Sequence, residues 1–81
     1  MPTILRIGAY RFYFYSHEGS EPPHIHIDRD NNSAKFWLKS IQLARSNGFS
    51  PTELMTLTKL VNEHKKTLLE GWYGYFGSSI R

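Results

Sequence analysis

A chain of 81 residues has room for one small core, and 40% hydrophobic with 21% charged residues is the balance of a globular domain rather than a disordered one. The absence of cysteine excludes disulfide frameworks, thiolate zinc sites and a cysteine nucleophile. Ten Lys and Arg against seven Asp and Glu leave a formal charge of +3, a modest lean toward anionic partners such as nucleic acid.

Residues 1–49 read as the β-rich part of a single domain spanning 1–81. Met1-Pro2-Thr3-Ile4-Leu5-Arg6 opens no signal peptide, and no apolar run approaches the roughly 18–20 residues of a membrane span. A cytoplasmic protein without a membrane partner is expected. Gly8-Ala9 suits the turn of a first hairpin, which opposes Ile7 to Tyr10, Leu5 to Phe12 and Ile4 to Tyr13. Asn31-Asn32 suits a second turn, because Asn tolerates the left-handed conformation. Pairing about it opposes Ile27 to Phe36 and Ile25 to Leu38 on one face, and His26 to Trp37 and His24 to Lys39 on the other. A one-residue slip would destroy this separation. A short fifth strand follows around Ile41-Gln42-Leu43, and Asn47-Gly48 turns the chain into a helix.

That helix is expected over 50–77. Ser50 is the N-cap, Pro51 the first helical residue, Glu53 completes a capping box, and Phe49 and Leu54 form a hydrophobic staple. Leu54, Leu57, Val61, His64, Leu68, Trp72 and Tyr75 recur at three- and four-residue spacing, so this stripe faces the sheet. Gly71, Gly74 and Gly77 weaken the last turns. The fold class is α+β: a four- to five-stranded, mostly antiparallel sheet with one long C-terminal helix packed on one face.

The opposite face of such a sheet is the informative one. Period two collects Arg6, Arg11, Tyr13, Tyr15, His24, His26, Asp28, Lys35, Trp37 and Lys39 there. Three functional readings compete with a bland one. In the first, His24 and His26 act as an acid–base pair for metal-independent cleavage of RNA, and Arg11, Lys35 and Lys39 hold phosphate. In the second, the face only binds: cations neutralise phosphates while Tyr13, Tyr15 and Trp37 stack on bases, or the same groups dock a protein. In the third, two imidazoles at i and i+2 hold a metal with a carboxylate. Asp28 lies roughly 13 Å from His24 along a strand rising about 3.3 Å per residue. Glu18, Glu21 or His17 of the preceding loop are better placed, which gives His24, His26 and Glu21 as the ligand set. The bland reading is a solvated face of cross-strand pairs. No other cofactor is implied, since glycine-rich phosphate loops and dinucleotide fingerprints are absent. His64, within the apolar stripe, reads as a hydrogen-bonded boundary residue.

Tyr10-Arg11-Phe12-Tyr13-Phe14-Tyr15-Ser16, Glu21-Pro22-Pro23-His24-Ile25-His26, Ala34-Lys35-Phe36-Trp37-Leu38 and Trp72-Tyr73-Gly74-Tyr75-Phe76 form a distinctive set, together with the opening six residues. With them the whole chain resembles a small prokaryotic family listed as domain of unknown function forty-one-sixty. The resemblance implies a single-domain protein, often encoded beside another short protein in an arrangement like a toxin–antitoxin pair. It thereby implies a small protein partner and a toxin acting on RNA or translation, and it carries no catalytic residues. The expectation is a toxin-like component acting on RNA through the open sheet face. The alternatives are a non-enzymatic partner-docking protein, such as the antitoxin, and a metal-binding protein at His24 and His26. A sheet edge able to pair with a copy of itself also allows a homo-oligomer.

Overall fold

The computed structural model describes residues 3–77. Met1 and Pro2 of the opening motif lie outside them. Five strands form a meander: β1 (Thr3–Ile7), β2 (Tyr10–Tyr13), β3 (His24–Arg29), β4 (Asn32–Trp37) and β5 (Gln42–Asn47). Each pairs antiparallel with its sequence neighbour, in the order β1-β2-β3-β4-β5. Two helices follow, α1 (Pro51–Glu63) and α2 (Lys65–Phe76). The fold is α+β, and among the described residues no helix is long and apolar enough to cross a membrane.

The first hairpin turns at Gly8-Ala9 with Ile7 opposite Tyr10 and Leu5 opposite Phe12, and Gly8 takes a φ of 57°. Beyond Leu5 the register shifts, so Tyr13 faces Thr3 instead of Ile4. The second hairpin turns one residue earlier than expected, at Asp30-Asn31, with Asp30 at φ 55°. The expected register is therefore corrected by two residues: His24 opposes Trp37, Ile25 opposes Phe36, and His26 opposes Lys35. A shift of two keeps every side chain on its face, because the strand period is two.

The apolar face carries the core. Phe12, Ile25, Ile27 and Phe36 are fully buried, and Phe14, Leu38, Leu57, Val61, Leu68 and Trp72 join them from the flanking segments and helices. Burying one such side chain contributes roughly 1.5–3 kcal/mol. Ser50 caps α1 by accepting the Glu53 N–H at 3.2 Å. The carboxylate of Glu53 does not close the capping box. It accepts Arg29 Nε at 2.7 Å, Arg29 Nη2 at 2.8 Å and the Tyr10 hydroxyl at 2.7 Å, tying the helix start to β2 and β3.

The single helix expected over 50–77 is two. His64 leaves helical geometry (φ −106°, ψ 16°), although its N–H still reaches Leu60 O and its carbonyl still accepts Leu68 N–H. Its imidazole Nδ1 also meets Leu60 O, at 3.0 Å, so ring and backbone compete for one carbonyl. Such local competition bends helices without Gly or Pro. α2 then runs intact to Phe76, and Gly77 (φ 86°) ends it with a bond to Tyr73 O. Gly71 has a packing reason: a Cβ there would stand 2.9 Å from two atoms of Ile4, so α2 meets β1 through a bare backbone.

Candidate functional site: a histidine–carboxylate cluster beside a basic concavity

The loop between β2 and β3 folds back over the sheet's polar face. Two backbone bonds tighten it, Glu18 N–H to Tyr15 O and Glu21 N–H to Glu18 O, both at 3.1 Å. A third runs the other way, from Tyr15 N–H to Glu18 Oε1 at 2.9 Å. Phe76 lies over Gly19, where a Cβ would strike its ring, so the end of α2 clamps the loop from outside. The result buries Glu18 against β3.

His24 and His26 converge on that carboxylate. His26 Nε2 lies 3.1 Å from both Glu18 oxygens. His24 Nδ1 donates to Pro22 O at 2.9 Å, which turns Nε2 inward to within 2.9 Å of Glu18 Oε1. This last approach lacks hydrogen-bond alignment, so His24 Nε2 is a buried nitrogen without a hydrogen-bond partner. Aromatic rings fix both imidazoles. His24 packs against Trp72 and Trp37, with ring centres 4.8 and 5.7 Å away, while His26 stacks on Tyr13 at 5.3 Å and meets the edge of Tyr15 at 5.0 Å.

The charges follow from this packing. Burial would push the Glu18 carboxyl up, but the Tyr15 N–H and the two imidazoles outweigh it and hold the group at about 2. Burial pushes His26 down despite the pull of Glu18. Burial also pushes Tyr13 up, reinforced by Tyr15 and by Asp28, whose two carboxylate oxygens accept the Tyr13 hydroxyl at 3.1 Å.

Beside the cluster the same face hollows into a cavity of about 380 Å³, lined by Tyr13, Tyr15, His26, Lys35 and Arg45, with Ser33, Ala34, Ser46 and Asn47 completing its wall. Lys35 pairs with Glu21 at 2.9 Å, and its Nζ lies 4.6 Å from the centre of the Trp37 ring. Arg45 sits directly across the ladder from Lys35 and has no ion pair or hydrogen bond among the described residues.

Of the residues singled out in sequence, the structure brings Tyr13, Tyr15, His26 and Lys35 together around this cavity. It does not bring Arg11, Trp37 or Lys39 into the lining. Arg11 lies over Tyr13 and donates to Thr3, and exposed Lys39 gives its carbonyl to Lys65. His24 is not on an open face at all, being fully buried beneath the loop. Glu21 is corrected as the carboxylate partner of the histidines, since it reaches His24 only at 3.9 Å and bonds Lys35 instead. Glu18 is the carboxylate that meets both rings. Arg45 was missed because the fifth strand was expected to end at Leu43, whereas β5 continues to Asn47.

The family model for "Domain of unknown function (DUF4160)" matches residues 9–73. The chain belongs to this family. The matched span of the DUF4160 domain contains the loop, both histidines, the basic cavity and most of α2. No curated protein and no solved structure matches the chain.

Proposed function

We propose that this DUF4160 protein binds single-stranded RNA in the basic cavity, as the toxin-like component of a two-gene module whose partner is a small protein. The observation that carries the reading is Arg45. Arg45 has no ion pair among the described residues and stands directly opposite Lys35, whose bond to Glu21 only partly relieves a repulsive cross-strand pair. A phosphate between the two cations would offset that repulsion, and Arg favours planar, bidentate phosphate contacts. Tyr15 lines the cavity and is half-buried, and half-buried Trp37 lies outside the lining beneath Lys35, so the two would offer stacking platforms on either side of that lysine, whereas the Tyr13 hydroxyl is committed to Asp28. The reading assigns binding rather than acid–base cleavage, because both histidine Nε2 atoms are directed at Glu18.

Fluorescence anisotropy of a labelled RNA oligonucleotide across a salt series tests it. Affinity should fall steeply with salt, and Arg45→Ala should flatten the slope by about one phosphate contact. Induced expression should arrest growth with wild type and not with Lys35→Ala/Arg45→Ala at matched soluble protein. Salt-independent affinity, or an unchanged slope in Arg45→Ala, would overturn the proposal.

A specific feature favours a second reading, docking of a partner protein. All six residues of β5 are exposed at the sheet edge, the arrangement to which a partner strand can add. Protection of β5 amides from hydrogen exchange by the partner, without RNA binding, would select it.

A further inference from the structure

We infer that Glu18, His24 and His26 form a binding site for one divalent transition-metal ion of the zinc class. The ligand atoms are already assembled: one oxygen and two imidazole nitrogens lie within 4.8 Å of one another, on three buried side chains. Tetrahedral coordination with bonds of about 2.0–2.1 Å separates ligand atoms by roughly 3.3 Å, so closure on an ion needs only a small movement.

The orientation of His24 is the decisive observation. With Nδ1–H given to Pro22 O, Nε2 is the ring atom left to bind, and it is the one turned toward Glu18. Nε2 stands 2.9 Å from a carboxylate oxygen in an alignment that makes no hydrogen bond, so a buried nitrogen is left without a partner. A cation bound by both atoms would satisfy that nitrogen. Metal-binding histidines commonly donate their other ring N–H to a carbonyl or carboxylate in this way, which fixes the tautomer and aims the ring. Pro22-Pro23 leads straight into His24 and limits the backbone freedom of that anchor. Trp72 and Trp37 hold the His24 ring, and Tyr13 and Tyr15 hold that of His26, so the donors are preorganised.

Two neutral nitrogens and one carboxylate suit zinc and its first-row neighbours better than calcium or magnesium, which prefer oxygen. Three protein ligands leave a coordination position for water or a ligand oxygen, as catalytic rather than structural sites do. His26 lines the neighbouring cavity, so the ion would sit at its wall. The inference does not depend on RNA binding, and its test contains no RNA.

The test uses protein purified without a histidine tag and stripped with chelator. Zn²⁺ titration by calorimetry should give one site per chain with a dissociation constant of micromolar or tighter. Co²⁺ should give the intense visible bands of a four-coordinate site. Glu18→Gln, which keeps the shape of the side chain, and His26→Ala should each weaken Zn²⁺ at least tenfold while circular dichroism reports an intact fold. His17→Ala and His64→Ala, the two histidines outside the cluster, should leave affinity unchanged. Absence of stoichiometric binding by wild type would overturn the inference. Unchanged affinity in Glu18→Gln, or loss of affinity in His17→Ala, would overturn it as well. Should His26→Ala fail to fold, Glu18→Gln and the cobalt spectrum of wild type still decide.

Discussion

Gly71 and Gly74 occupy the same helix, yet alanine at the two positions should move stability in opposite directions. At an unhindered helical position, Gly to Ala stabilises by up to about 1 kcal/mol through backbone entropy. A Cβ added at Gly74 would meet nothing within 4 Å, so Gly74→Ala should realise most of that gain. At Gly71 an added Cβ would stand 2.9 Å from both Cδ1 and Cγ2 of Ile4. The δ-carbon can swing aside, but the γ-methyl is fixed by the branch at Cβ, so β1 and α2 must separate slightly. Overpacking of this kind costs about 1–3 kcal/mol. The net expectation for Gly71→Ala is a loss of about 0–2 kcal/mol, and about 1–3 kcal/mol separates the two variants. Urea and thermal unfolding followed by circular dichroism would show it, at about 4–8 °C in Tm per kcal/mol for a domain of this size. The cause is checked in an Ile4→Ala background, where the obstructing atoms are gone and Gly71→Ala should become stabilising. Equal stabilisation by both alanines, with no coupling to Ile4, would refute the close approach of α2 to β1.

Three further outcomes are expected. The bonds from Arg29 and then Tyr10 hold Glu53 below the usual carboxylate range, so its stabilising contribution is present above about 4.5 and is lost as pH falls below that; wild type should therefore lose more stability on acidification than Glu53→Gln in chemical unfolding at each pH. The bond to Glu53, ahead of burial, raises Tyr10, so this contribution is present below pH 10 and is lost as pH rises beyond it; Tyr10→Phe should flatten the alkaline limb of the same profile. Ser50→Ala removes the side-chain cap of α1 and should cost about 1 kcal/mol in urea unfolding.

Much of the sheet was legible because side-chain alternation is robust. Ile25, Ile27 and Phe36 are on the apolar face in both the expected and the observed register, since the error was an even number of residues. The turn itself was harder to read, because Asp30, Asn31 and Asn32 all tolerate turn geometry and only packing selects among them. The shift near Ile4 and the break at His64 carry no Gly or Pro signal. One arises where Ile4 fits against Gly71, the other where an imidazole competes for a helix carbonyl. In the candidate site, the facing of His24 and His26 followed from spacing, but their burial did not. Alternation describes a strand and its neighbours, and is blind to a loop that folds over them. Choosing Glu18 over Glu21 depends on two turns inside that loop, a local geometry that residue types alone do not encode.

The meander also says something about how the molecule is made. Every strand neighbour in space is a neighbour in sequence, so each hairpin can close over a short loop with little entropic cost. The helices are the exception: α1 is tied to β2 and β3 through Glu53, and α2 packs on β1 through Gly71 and Ile4. Assembly therefore divides into inexpensive local steps and the long-range docking of the helices, α2 last in the chain. That docking brings Trp72 onto His24 and Phe76 onto the loop that carries Glu18. The histidine–carboxylate cluster is therefore closed over from outside only when the last helix arrives, so its surroundings, unlike its three residues, depend on both ends of the described chain.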